Sequence, residues 1–317
     1  IIKLQPLRYI LEVYRQNLNV SDAAEVLFTS QPGISKQIRL LEDELGVQIF
    51  IRSGKRIVSV SQPGKMVLEI TERILQDVQN IRNIGSDFAD KDSGTFSIAT
   101  THTQARYALP PVVAKFMNLY PNVKLSIKQG NPSQILQMIT SGEVDFSIST
   151  ESWHSVNNLR YLPCSEWHHA VVVPNQHPLA MLDRPLNLSD IAAYPLITYD
   201  FAFEPNNRIA QAFKQANIHD FQVALSATGT DVIKTYVKLG LGIGLMAEEA
   251  YNVQEDNELT ILNTRHLFAP SSTKIILPSD TYLRGYAYDF ITLFAPALNR
   301  ERIDSLLYSP LEEDYSI

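Results

Sequence analysis

Apolar positions in residues 1–60 recur at helical spacing three times before they begin to alternate. Leu4, Leu7, Leu11 and Tyr14 lie three or four apart, which predicts an amphipathic first helix ending near Asn17. Ser21 stands where a hydroxyl would cap a second helix through Ala23, Ala24 and Leu27, with Glu25 near its first turn. A turn at Phe28 and Thr29 follows. Ser30 is placed to cap a third helix, which tolerates Pro32 in its first turn and closes at Gly46. Its apolar stripe is Ile34, Ile38, Leu41 and Leu45. The other face carries Ser30, Gln31, Ser35, Lys36 and Arg39, all from the N-terminal half, with Glu42, Asp43 and Glu44 afterwards. Phe50 to Val60 then reads as two strands around a turn bearing Arg52, Gly54, Lys55 and Arg56.

Two helices joined by a tight turn, followed by a basic hairpin, predict a winged helix-turn-helix. In such a reader the front of the second helix of the pair enters the major groove, where hydroxyls and Gln reach base edges and Lys and Arg hold phosphates. The DNA-contacting residues expected here are Ser30, Gln31, Pro32, Ser35, Lys36 and Arg39 on the helix. Arg52, Lys55 and Arg56 on the wing add cations for the flanking phosphates.

From Gln62 to about Ser86, Val67, Ile70, Ile74, Val78, Ile81 and Ile84 keep a helical spacing over one long segment. Such a seam needs a partner, and the same helix of a second chain supplies one, pairing two heads on a two-fold-related site. Asp90 to Gly94 is a polar hinge. Beyond it strand and helix patterns alternate: strands at 95–100, 123–129, 145–149, 170–173, 195–199, 223–226 and 243–246, with helices near 111–120, from Ser133, and at 231–239. That alternation predicts parallel sheets covered by helices, with ligands beyond the carboxyl ends of the strands.

Charge sharpens the division. The chain of 317 residues carries a net charge of −7, yet residues 1–60 hold eight Lys or Arg against six acids, a balance of +2 that leaves −9 for the rest. A basic head on an acidic body fits a specific DNA reader rather than a protein that coats nucleic acid. The lack of a long apolar run or of a signal segment points to the cytoplasm and away from a membrane. It also speaks, with the basic head, against an exported solute-binding protein. One cysteine, Cys164, excludes an internal disulfide framework and a multi-Cys metal site.

Two segments invite a chemical reading. In TTHTQARYALPP, Thr100, Thr101, Thr103 and Gln104 fall at a strand-to-helix junction, and a further strand ends at Thr150. Uncharged donors converging near a helix start suit a small hydrogen-bonding anion, although the same threonines would also serve as helix caps. Cys164 with His168 and His169 could suggest nucleophilic catalysis, but no third orienting group is evident and a packed structural thiol is the better reading. GLGIG, 240–244, follows a helix and leads into a strand, the reverse of a dinucleotide fingerprint, so close backbone packing is expected of it.

Almost the full length resembles the LysR-type transcriptional regulators, in particular their sulfur-assimilation branch. FTSQPGISKQIRLLEDELG (28–46), RSGK (52–55), ATTHTQARYALP (99–110), LPC (162–164) with Trp167, HPL (177–179) and DVIKTYVKLGLGIGLMAE (231–248) carry the likeness. The resemblance implies a winged helix-turn-helix over 1–60, a dimerising linker helix over 61–90 and an α/β effector domain over 91–317. That domain would consist of two Rossmann-like lobes, similar to type 2 periplasmic binding proteins. Lobe I would span 93–164 and 268–295, and lobe II 165–267. It further implies a homodimer assembling into a homotetramer, double-stranded promoter DNA as partner, no cofactor and no enzymatic activity. Its effector would be acetylserine, sulfate or thiosulfate, for control of sulfur assimilation and cysteine biosynthesis, with sulfonate-sulfur use or another small-anion pathway as the alternative. Thr101, Thr103, Gln104, Thr150 and Trp167 match the family's effector pocket. Glu204 stands where close relatives have a threonine, with Asp200 nearby; a carboxylate that close to an anion would weaken binding, so Glu204 is expected to point outward, as loop residues usually do, the alternative being weak sulfate binding and a ligand that presents a donor.

Overall fold

The computed structural model describes residues 1–309; the acidic stretch Glu312 to Ile317, for which the sequence suggests no role, lies outside them. The described chain divides into two units, Ile1–Ala89 with Asp280–Leu283, and Asp90–Ser279 with the residues from Arg284 onward.

The first unit opens with α1 (Leu4–Arg15), α2 (Val20–Val26) and α3 (Gln31–Leu45). Leu7, Ile10, Leu11 and Val13 of α1 are buried, whereas Leu4 and Tyr14 are exposed, so the buried stripe is rotated from the one the spacing suggests. The cap of α2 is Asn19, whose side chain accepts from Asp22 N, and not Ser21. Ser21 instead accepts a hydrogen bond from Gln31 Nε2 and ties α2 to α3. Ser30 does cap α3, accepting from Gly33 N at 3.2 Å, and Gly46 closes it with φ +69°, a left-handed conformation that glycine adopts freely. Ile34, Ile38 and Leu41 pack with Ile49, Phe50 and Ile57 into one core. The wing is β1 (Phe50–Ser53) paired antiparallel with β2 (Arg56–Val60).

The long helix α4 runs from Gln62 to Ala89, and Ser61 accepts from Gly64 N at its start. Only Gly64, Leu68 and Thr71 are buried along it. Ile70, Ile74, Ile81, Ile84 and Phe88 are exposed, whereas Val67 packs on the head core and Val78 is half-buried.

The second unit holds two five-stranded sheets. In lobe I, β3 (Ser93–Thr100), α5 (Pro110–Leu119), β4 (Asn122–Gln129), α6 (Pro132–Thr140), β5 (Phe146–Ser149) and β6 (Leu159–Trp167) are followed by a crossing at His168. Lobe II contains β7 (His169–Pro174), α7 (Leu188–Ala192), β8 (Leu196–Tyr199), α8 (Arg208–Gln215), β9 (Val223–Ala227), α9 (Thr230–Lys238), β10 (Ile243–Ala247) and β11 (Leu259–Asn263). The chain returns through β12 (Ser271–Pro278), α10 (Gly285–Phe294) and α11 (Arg300–Tyr308). Strand order is β4-β3-β5-β12-β6 in lobe I and β11-β7-β10-β8-β9 in lobe II.

The sheets are mixed rather than parallel throughout. β12 runs antiparallel to β5 and β6, and β7 runs antiparallel to β10 and β11. These strands cross between lobes or return from a crossing, so no helix reverses the chain before them. For the same reason the first crossing falls at 168 and not at 164: β6 continues in lobe I through Trp167. The glycines of 240–244 do reflect close packing. A Cβ on Gly242 would stand 2.5 Å from Pro195 O, and one on Gly244 would stand 2.5 Å from Val172 Cγ2.

Candidate functional site

On the head, Ser30, Gln31, Pro32, Lys36 and Arg39 are exposed and Ser35 is half-buried, because the apolar stripe of α3 turns the opposite side to the core. Lys55 and Arg56 are exposed at the hairpin tip, whereas Arg52 is half-buried with one guanidinium nitrogen, Nη2, enclosed. Ser30 is occupied as a cap and Gln31 is held by Ser21, so both enter any contact from a fixed position. The acids Glu42, Asp43 and Glu44 lie on the last turns of α3, and Glu42 accepts from Phe50 N.

In the second unit the TTHTQ segment does not form a free ring of donors. Thr100 is fully buried and its hydroxyl donates to Ile148 O at 2.7 Å. Thr101 accepts from Gln104 N, as a local cap. Thr103 and Gln104 are buried and reach lobe II. The Thr103 hydroxyl lies 2.8 Å from that of Thr230, which also meets Tyr199 Oη, and Gln104 Nε2 donates to Glu249 Oε1 at 3.2 Å. His102 joins the same contact, 2.8 Å from Asp231 Oδ1. After Thr103 the backbone widens into a π-helical turn, Gln104–Ala108, a form that recurs at functional positions.

Thr150 and Trp167 do come together, on the wall of a cavity of about 300 Å³ between the lobes. The remaining wall was not legible as a site in the sequence: Lys274 from β12, Arg208 and Gln211 from α8, and His169 from β7. Lys274 donates to Ser152 Oγ at 2.5 Å and to Thr150 O. Burial pushes its ammonium pKa down, Glu151 opposes that and Arg208 adds to it, so two cations stand close together on one wall. Burial, with His168 and Arg208 beside it, takes His169 down to about 3 and leaves a neutral imidazole. His169 Nδ1 and Trp167 Nε1 are both enclosed without a hydrogen-bond partner. One sequence signal could have singled out Arg208. It is the first residue of α8, where the positive end of the helix dipole disfavours a cation and favours an anion nearby.

Glu204 is exposed, yet it is not turned away from the cleft. It lines an adjoining cavity of about 530 Å³ with Asp200, Phe201, Glu151 and Trp153. Burial chiefly, and then Glu204, pushes the Glu151 carboxyl up. The two cavities share Glu151, Ser152 and Phe201. Cys164 is half-buried on β6, its thiol donates to Leu162 O, and burial raises its pKa to about 12, so it stays protonated at neutral pH. No helix of the described residues is long and apolar enough to cross a membrane.

Comparison with known proteins agrees with this arrangement. Residues 4–65 match the model for the bacterial regulatory helix-turn-helix protein, lysR family, and residues 89–299 match that for the LysR substrate binding domain. The HTH-type transcriptional regulator SsuR of Burkholderia cenocepacia is 50% identical over 306 residues, covering 96% of this chain and 99% of that protein. The regulator cbl of Escherichia coli is 42% identical over the whole of both chains. The crystal structure of the cofactor-binding domain of the Cbl transcriptional regulator superposes with a TM-score of 0.63 at 41% identity, covering 68% of this chain and 95% of that one. With a helix-turn-helix head in one unit and a two-lobed cleft in the other, the chain belongs to the LysR family of bacterial transcriptional regulators.

Proposed function

We propose that this regulator controls genes of sulfur assimilation and cysteine biosynthesis, and that a small metabolite bound in the cleft between the lobes sets its activity. The observation that carries the effector reading is the cavity whose wall brings Arg208 and Lys274 together with His169 and Trp167, whose Nδ1 and Nε1 are enclosed without a hydrogen-bond partner. Enclosed polar atoms left without partners are costly, and an anion held by the two cations relieves that cost. Similarity to SsuR, CysB and Cbl regulators at 42–50% identity over nearly the full length supports the pathway.

Front residues of α3, Ser30 to Arg39, read the duplex, and Lys55 and Arg56 hold flanking phosphates. Arg52, half-buried on the wing, adds its positive charge beside them. Thr150 and Trp167 contact the effector. Thr103 and Gln104 act at the lobe-to-lobe contact, so that effector binding changes how tightly the lobes close. The exposed seam of α4 pairs with its copy in a dimer, and dimers assemble into tetramers. The protein works in the cytoplasm and catalyses no reaction, in keeping with a protonated Cys164 and a neutral His169.

A thermal-shift panel of acetylserine isomers, sulfate and thiosulfate, read beside operator affinity, tests the pathway. A bound effector raises the melting temperature by mass action. If all four leave both melting temperature and operator affinity unchanged, the sulfur assignment is lost.

A further inference from the structure

We infer that the cleft is built for a zwitterion, with the anionic end of the ligand at Arg208, Lys274, His169 and Trp167 and an ammonium end between Glu151, Asp200 and Glu204. The inference rests on the cleft being the effector site and specifies the class of molecule it takes.

The cationic end shows signs of a missing partner. His169 is 3% exposed, lines the smaller cavity and leaves Nδ1 enclosed without a hydrogen bond. Trp167 Nε1 is enclosed in the same way. A neutral His and an indole N–H are donors suited to oxygen atoms, and the start of α8 adds a favourable dipole for negative charge. Lys274 is already fixed by Ser152 Oγ and Thr150 O, so its charge is positioned before any ligand arrives. Among the described residues Arg208 is tied only to Gln211, at 3.4 Å, in the same helix.

The adjoining cavity has the opposite character. Glu151 comes from lobe I, Asp200 and Glu204 from lobe II, and no Lys or Arg among the described residues lines that space. Thr228 Oγ1 donates to Asp200 Oδ2 at 3.2 Å. Glu151 and Glu204 repel one another across the cleft, and a cation between them would remove that repulsion as the lobes approach. Trp153 and Phe201 also line this cavity, and an ammonium is attracted to the face of such rings. The two cavities meet at Glu151, Ser152 and Phe201, so one small molecule spans both. An inorganic anion would satisfy only one half.

Calorimetry on the full-length protein with ω-amino acids and aminosulfonates having two to five carbons between the charges tests this, beside the same chains lacking the amine. Taurine with ethanesulfonate and β-alanine with propionate are the shortest pairs. The expected result is at least tenfold tighter binding of one or more amines than of its deaminated counterpart. Glu204→Gln should shrink that preference several-fold, while Arg208→Gln should weaken both members of a pair. Equal affinity within every pair, or no binding by any zwitterion, overturns the inference. Binding of sulfate or ethanesulfonate that Arg208→Gln abolishes, without any ammonium preference, would sink the zwitterion while leaving the cleft as the effector site. Silence of every probe, sulfate included, would remove both.

Discussion

Replacing Lys36 and Arg39 together by Ala tests the DNA interface through its salt dependence. Lys36, Arg39, Lys55 and Arg56 are the exposed cations of the reading helix and wing tip, whereas Arg52 is half-buried. Four phosphate contacts per head give a log–log slope of affinity against salt of about −3.6, or a loss of roughly 150-fold between 50 and 200 mM. A pair of heads engaged together doubles the slope to about −7. The double substitution removes two contacts from each head and should return the paired slope to about −3.6. Both side chains are exposed on the side of α3 away from its buried stripe, so the fold should survive, and a circular dichroism melt checks that. Fluorescence anisotropy on an operator duplex across this salt range reads the slope directly. A variant whose slope equals that of the parent would refute the placement of α3 against the phosphates, whatever its affinity at one salt concentration. Gln31→Ala should change base preference and leave the slope in place, because Gln carries no charge.

Gly244→Ala places a Cβ 2.5 Å from Val172 Cγ2 and 2.9 Å from Val237 Cγ2, and should cost about 1–3 kcal/mol in urea unfolding of the effector domain. Lys234 and Asp256 form a buried ion pair at 2.9 Å, and Asp256→Asn should cost about 3–5 kcal/mol at neutral pH. Burial would raise the Asp256 carboxyl pKa, but the Asn252 N–H and Lys234 hold it below the usual range. Its contribution is therefore complete above the ordinary carboxylate range and is lost as pH falls through the depressed value. Lys234 is raised despite burial, by its hydrogen bond to Asp256 foremost, so its contribution is lost only as pH rises past the usual lysine range. Chemical denaturation from pH 2 to 7 should show a flatter acid limb in Asp256→Asn. Ile81, 69% exposed on α4, should tolerate Glu within one chain but weaken self-association at least tenfold by sedimentation; an unchanged dimer would place the contact elsewhere.

The head was legible because its elements are local. Ser30 finds Gly33 N three residues away, Gly46 closes the same helix, and the stripe of Ile34, Ile38 and Leu41 repeats at a period the chain itself carries. The strands at 123–129 and 243–246 and the helix at 231–239 were legible for the same reason. The exceptions are instructive. Asn19 took the cap from Ser21 because positive φ at Asn17 and Leu18 starts α2 earlier, and Ser21 was left to meet Gln31. β6, β11 and β12 escaped notice because Pro163 and scattered polar residues blur the alternation that marks a strand.

Sequence alone determined the order of modules, the polar front of α3, the apolar seam of α4 and the presence of hydroxyls after β3, since each depends on neighbours within one or two helical turns. Tertiary structure decided where each polar group found its partner and which of them met in the cleft. Thr100 went to a backbone carbonyl and Thr103 to Thr230, while Arg208, Lys274 and His169, from three separate elements, came to share one cavity. Spacing along the chain carries no record of that meeting, because it arises from two chain crossings between lobes, and only the assembled sheets bring their ends to the same cleft.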